Sequence, residues 1–207
     1  MNMKIKGVVF DYGGVMTTST MPLRVIDLAK DMGIPWDAIK RGFDAHRLEY
    51  DGDAMTIREM YEAIWRDAGL SVDAATTGRF MEEDARSWLY RRERTREWMA
   101  ELKARGFRIG ILTNMNSLYA KQYFKKEFAD YIALADAMVV SGEERMVKPQ
   151  PEIYELLRRR IALPAGELCF IDDVEKNVAG ARSVGWQAIR FQSSEQVEAD
   201  FEELLKA

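Results

Sequence analysis

Apolar residues along this chain follow two different patterns. In one, short continuous apolar runs of the kind that fill strands buried on both faces stop abruptly at polar residues. Val8, Val9 and Phe10 lead to Asp11; the FRIGIL run at 107–112 leads to Thr113 and Asn114; the LCFI run at 168–171 leads to Asp172 and Asp173. Further short strands are predicted at 137–141 and 187–191. In the other pattern apolar positions recur at helical spacing. From about residue 17 to residue 90 the spacing predicts helices and no strand: Val25, Leu28, Ala29 and Met32 run up to Gly33, and Phe80, Met81, Ala85, Trp88 and Leu89 mark another helix. Between them Thr56 and Glu59 form a capping box ahead of Ile57, Met60, Tyr61, Ile64 and Ala68, and Gly69 stands at the expected stop.

After residue 107 the two patterns alternate. A helix is predicted from near Ser117 with Leu118, Tyr119 and Tyr123. Another is opened by Pro151, a residue suited to the first helical position, and carries Ile153, Leu156 and Leu157. A third covers 174–184 before Gly185, and a C-terminal helix carries Phe201, Leu204 and Leu205. Strand and helix in alternation imply right-handed βαβ units. The expected fold is therefore α/β, a doubly wound parallel sheet of Rossmann-like form with a small helical unit inserted after the first strand. Residues 1–16 and 91–207 would form the core and 17–90 the insert. The basic segment 90–97, YRRERTRE, returns the chain to the core and reads as a solvated helix face.

Composition narrows the function classes. Of 207 residues, 47% are hydrophobic and 31% charged, as in an ordinary soluble globular protein. Thirty Lys and Arg stand against 34 Asp and Glu, a net charge of −4, and the pI near 5.3 gives no general attraction to nucleic acid or anionic lipid. One cysteine, Cys169 inside an apolar run, rules out an internal disulfide framework and fits a small core residue in a reducing, cytoplasmic setting. No signal-peptide pattern and no apolar stretch long enough to span a bilayer is present.

Chemistry is expected where the strands end, because ligands of open parallel sheets sit beyond the carboxyl ends. Asp11, Thr113 with Asn114, Lys148 and the Asp172–Asp173 pair would meet there. Gly13 and Gly14 let the chain turn sharply straight after Asp11. Three carboxylates with one lysine and one hydroxyl make a poor core but a suitable metal-assisted phosphate site. Asp oxygens suit Mg²⁺, while Lys148 and Thr113 suit phosphoryl oxygens. Each residue has a plainer reading alone, as a helix cap or a surface lysine.

Together these residues resemble the haloacid dehalogenase superfamily of hydrolases. DYGGV at 11–15, LTN at 112–114, Lys148 in VKPQPEIY and FIDDVEKNVAGAR at 170–182 are similar to its four motifs, in order. The insert at 17–90 then corresponds to the family's helical cap. The resemblance leans toward sugar-phosphate phosphatases of the glucose-1-phosphate type and the phosphatase domain of soluble epoxide hydrolase. It implies a small phosphorylated substrate, Mg²⁺, and Asp11 as a nucleophile that forms an aspartyl-phosphate. It further implies metal ligands from Asp11, the Gly13 carbonyl, Asp173 and Asp172, substrate contacts from Thr113, Asn114 and Lys148, and support from Asn177. One position departs from the family: its phosphatases usually carry a general acid two residues after the nucleophile, where this chain has Gly13. Two alternatives follow from that departure, a metal-independent 2-haloacid dehalogenase and a non-catalytic phosphate-binding or interaction protein. In the cap, His46, Arg47 and Glu49 are candidates to face the substrate, although a plain helix-surface role suits His46 better. Trp36, Trp65 and Trp88 are expected to form the cap's own small core.

Overall fold

The structure, a computed structural model, describes residues 5–206; the ends of the expected core segments, residues 1–4 and 207, lie outside the described residues. Five strands form one sheet: β1 (Gly7–Phe10), β2 (Arg108–Thr113), β3 (Ala137–Val140), β4 (Leu168–Asp172) and β5 (Gln187–Arg190). Every pairing is parallel and the order is β3-β2-β1-β4-β5, the α/β Rossmann-like arrangement expected. The central β1 pairs on both sides, Phe10 lying opposite Ile111 on one neighbour and Ile171 on the other. Its residues are fully buried because helices cover both faces. On one face Phe10 meets the edge of Trp98, which in turn meets Phe201; on the other Phe170 packs with Tyr154 and Trp186.

Four helices lie between β1 and the core's first covering helix: α1 (Leu23–Asp31), α2 (Trp36–Asp51), α3 (Ile57–Asp67) and α4 (Ala74–Ser87). They share an apolar cluster of their own that includes Ile39, Phe43, Tyr61, Trp65 and Phe80. The capping box at α3 is formed, with Thr56 and Glu59 each accepting the other's backbone N–H. Helix α2 is an addition to the three helices the spacing indicated. Its buried side includes Gly42 and Asp51, which weakens an apolar count. Then follow α5 (Glu93–Ala104), α6 (Pro151–Ile161), α7 (Glu175–Ser183) and α8 (Ser194–Lys206). The segment after Ser117 is helical but irregular, opening as a short α-turn and passing through a π-helical stretch at Ala120–Phe124.

The insert is tied to the sheet at two places. Where the chain enters and leaves it, Thr18 N donates to Tyr90 O, Arg92 N to Met16 O, and Thr17 bridges Arg91. At the far end Asp53, in the left-handed region with φ 58°, accepts from Asn116 Nδ2 at 2.6 Å and Ser117 N at 2.8 Å, and Ser141 Oγ donates to Asp51 O. The helices therefore lean over the carboxyl ends of the strands. None of the described helices is long and apolar enough to cross a membrane.

Candidate active site

β1 delivers Asp11 to the adjoining ends of β1 and β4, where the strand order switches direction. Asp11 N donates to Ile171 O, so the strand pairing itself holds the residue in place. Its Oδ1 accepts from Tyr12 N at 2.7 Å and lies 2.8 Å from Lys148 Nζ. The same ammonium lies 2.6 Å from Asp172 Oδ2 and 3.2 Å from Leu112 O, with the Phe170 ring below it. Lys148 is 1% exposed. Burial alone would lower the pKa of this ammonium, but Asp11 and Asp172 outweigh it and the value rises, so the lysine stays charged.

Asp172 is wholly buried and committed. Besides Lys148 it accepts from Val174 N at 2.8 Å and from Asn177 Nδ2 at 3.1 Å to each oxygen. Asp173 has no such partners: its carboxylate pairs with no cation among the described residues and faces Gly14, whose positive φ of 71° and missing Cβ make room for it. One oxygen from each of Asp11, Asp172 and Asp173 lies within 4.8 Å of the others. Burial, and then the Asp172 charge, push the Asp173 carboxyl up to about 6 against the opposing pull of Lys148. Asp11 is likewise raised, first by burial and then by its two acidic neighbours, with Lys148 working against them.

Three carboxylates around one ammonium leave excess negative charge in a low-dielectric site, where a divalent cation is the natural complement. Asn177 Oδ1 is buried without a partner among the described residues, an oxygen of the hard kind that such a cation or its water would take. The donor set therefore fits Mg²⁺.

A cavity of about 1310 Å³ opens between this cluster and the helical insert. Asp11, Gly13, Asn114, Lys148, Asp173 and Asn177 line it; Thr113, 1% exposed, and Asp172 lie beneath its floor. Asn114 exchanges hydrogen bonds with the Lys148 backbone, Nδ2 to O at 3.0 Å and Lys148 N to Oδ1 at 2.7 Å. Its amide is thus engaged in positioning Lys148, where a direct substrate contact was expected.

In the insert, Trp88 lies elsewhere than expected. It lines the cavity directly above Gly13, where a Cβ would sit 3.6 Å from its ring, and packs against the main core cluster. His46 faces away: its Nε2 lies 2.7 Å from Asp67 Oδ2, and neither residue borders the cavity. Arg47 does border it. Among the cavity residues that escaped the sequence reading are two buried carboxylates, Asp51 and Asp84. The signal was present, since Asp84 falls one helical turn from Phe80 on α4 and from Trp88 at its C-terminal cap, and Asp51 one turn from Arg47 on α2.

Residues 5–185 match the family model of haloacid dehalogenase-like hydrolases. The chain belongs to that family. Among its relatives it is similar to Phosphatase MT3486 of Mycobacterium tuberculosis, 26% identical over 191 residues, with 90% of this chain and 87% of the relative covered. It is also similar to (S)-2-haloacid dehalogenase 4A of Burkholderia cepacia, 22% identical with 90% and 82% covered. A haloacid dehalogenase-family enzyme of Bacteroides thetaiotaomicron, solved in complex with magnesium and inorganic phosphate, shares the fold with a TM-score of 0.66 at 22% identity, covering 91% of this chain and 94% of its own. This haloacid dehalogenase-like chain is therefore a hydrolase whose relatives include both phosphatases and dehalogenases.

Proposed function

We propose that the chain is a Mg²⁺-dependent phosphomonoester hydrolase that acts on a small phosphorylated substrate through an aspartyl-phosphate on Asp11. The observation that carries this reading is the Asp173 carboxylate, paired with no cation among the described residues and within 4.8 Å of Asp11 and Asp172. A halo-acid hydrolase needs no cation, and without one the three carboxylates repel one another. Magnesium in the complex of the Bacteroides relative supports the same choice.

Asp11, Asp173 and the Gly13 carbonyl would hold the cation, whose charge offsets that of the carboxylates and of the phosphoryl oxygens. Asp172, with both oxygens committed, instead fixes Lys148 and Asn177. The Asp11 oxygen not bound by Tyr12 N and Lys148 attacks phosphorus; a P–O bond to Asp11 forms as the ester P–O bond breaks. The departing alkoxide or aryloxide takes a proton from water. Lys148, at 2.8 Å from Asp11, neutralises phosphoryl oxygens as they arrive, and the Thr113 hydroxyl at the end of β2 would donate to an oxygen that reaches the strand end. Water then attacks the acyl phosphate, giving back the carboxylate and releasing inorganic phosphate. The helices over the site act as a cap that encloses the leaving group. Turnover of 4-nitrophenyl phosphate with and without added Mg²⁺ tests the reading: activity that is independent of metal would sink it.

The metal assignment has a readout that does not depend on turnover. Binding at a hundredfold excess over Kd stabilises the folded state by about 2.7 kcal/mol. For a chain of this size that corresponds to roughly 5–10 °C in melting temperature. Mg²⁺ should raise the wild-type value by this order and leave Asp173→Asn almost unmoved. Without metal the variant should be at least as stable as wild type, because it removes a carboxylate whose ionised form burial disfavours. Equal Mg²⁺ shifts in the two proteins would remove Asp173 from the ligand set.

A further inference from the structure

The helical wall of the cavity carries a charge cluster that the hydrolysis steps do not use, with Asp51 and Asp84 buried and Arg47 half-buried. Arg47 Nε donates to Asp51 Oδ1 at 3.0 Å, and its Nη1 lies 3.7 Å from Asp84 Oδ2. Asp84 also accepts from Trp88 Nε1 at 3.0 Å. The guanidinium lies 5.3 Å from the ring centroids of both Tyr50 and Trp88. Two carboxylates thus answer one guanidinium, and no surplus positive charge faces the leaving group. The lining taken as a whole has the same sign. Eight acidic side chains border the cavity against four basic ones, and of these Lys40 is tied to Asp44, Arg47 to Asp51 and Lys148 to Asp11; Lys176 is exposed. Between the charges the wall is largely aromatic and aliphatic, with Trp36, Phe43, Met55, Trp88 and Tyr119 among its residues.

Building on the phosphatase reading, we infer that the cavity selects phosphomonoesters whose leaving group is uncharged with an apolar or aromatic face, and rejects those that carry a second anion. A carboxylate or second phosphate entering this space finds every inner cation already paired and two carboxylates ahead of it. Against the two buried carboxylates of the wall, that repulsion is screened less than it would be between charges in bulk water. An aromatic or aliphatic leaving group instead meets the Trp36, Phe43 and Met55 side chains of the wall. Specificity here comes from rejection as much as from attraction.

Two substrates separate charge from every other property: 4-(2-carboxyethyl)phenyl phosphate and its carboxamide, whose phenol leaving groups are closely matched. With Mg²⁺ present, kcat/KM for the amide should exceed that for the acid by about tenfold or more, a ratio expected of charge repulsion at this range. Asp51→Asn and Asp84→Asn each keep an oxygen to accept from Arg47 or Trp88, so the wall retains its shape; in either variant the ratio should fall toward one. Calorimetric binding of the two corresponding benzylphosphonates, which cannot be hydrolysed, should show the same preference. A wild-type ratio near one, in turnover and in binding, overturns the inference while leaving the hydrolase intact. Selective binding without turnover of any phosphate ester keeps the inference and overturns the phosphatase reading.

Discussion

Asp11→Asn should lower turnover of an aryl phosphate by about 10⁴-fold or more, the scale seen when a nucleophile that works with its neighbours as a unit is removed. The fold should not suffer. An asparagine oxygen can still accept from Tyr12 N and from Lys148, and Lys148 keeps its 2.6 Å contact with Asp172. Burial and the two neighbouring aspartates raise the Asp11 carboxyl above its ordinary range, so its ionised form opposes folding and a neutral amide should leave the melting temperature equal or higher. Steady-state rates and thermal unfolding of the same preparations check both halves. Acid quench of wild type at high substrate should trap a phosphoenzyme that hydroxylamine cleaves, and the variant should trap none. Turnover within tenfold of wild type would rule out covalent catalysis by Asp11.

Gly13→Asp should raise kcat/KM on alkyl phosphates by about 10²-fold or more while changing aryl phosphates little, within the range that a positioned proton donor contributes. In phosphoryl transfer the leaving oxygen gains negative charge in a loose transition state. With only a hydrogen at position 13, the wild-type rate should fall steeply as the leaving group becomes more basic. The turn admits the change. Gly13 is not among the residues with positive φ, and a Cβ there would stand 3.6 Å from the Trp88 ring, an ordinary contact. A plot of log kcat/KM against leaving-group pKa, steep for wild type and flatter for the variant, is the measurement. If wild type already handles alkyl and aryl esters alike, another group supplies the proton. His46 is then excluded by its position outside the cavity, and the buried Asp51 and Asp84 become the residues to replace.

What lies on the strands was legible from the sequence because each strand is a local pattern. A run such as Val8 to Phe10 must be buried on both faces, and a run that ends on Asp11 or on Asp172 and Asp173 must stop where the strand's carboxyl end leaves the core. Alternation of such runs with helices leaves little choice but a parallel sheet with those ends together. The insert was less legible. Its helices announce themselves by caps, as at Thr56 and Glu59. Its function-bearing side chains are polar residues on buried faces, and an apolar count treats Asp51 and Asp84 as interruptions.

Sequence by itself therefore determined the sheet, the floor of the site and the family, through order and spacing along single elements. Only the tertiary structure decided how those residues divide their work. It gave both oxygens of Asp172 to Lys148, Asn177 and Val174 N, left Asp173 without a paired cation among the described residues, and turned Asn114 onto the Lys148 backbone. It likewise brought Trp88 over Gly13, Arg47 between two carboxylates, and Asp53 onto Ser117. The physical reason is range. Strand and helix patterns are written within about ten residues, whereas a carboxylate's role depends on which cation or donor reaches it, and those partners arrive from elements dozens of residues away.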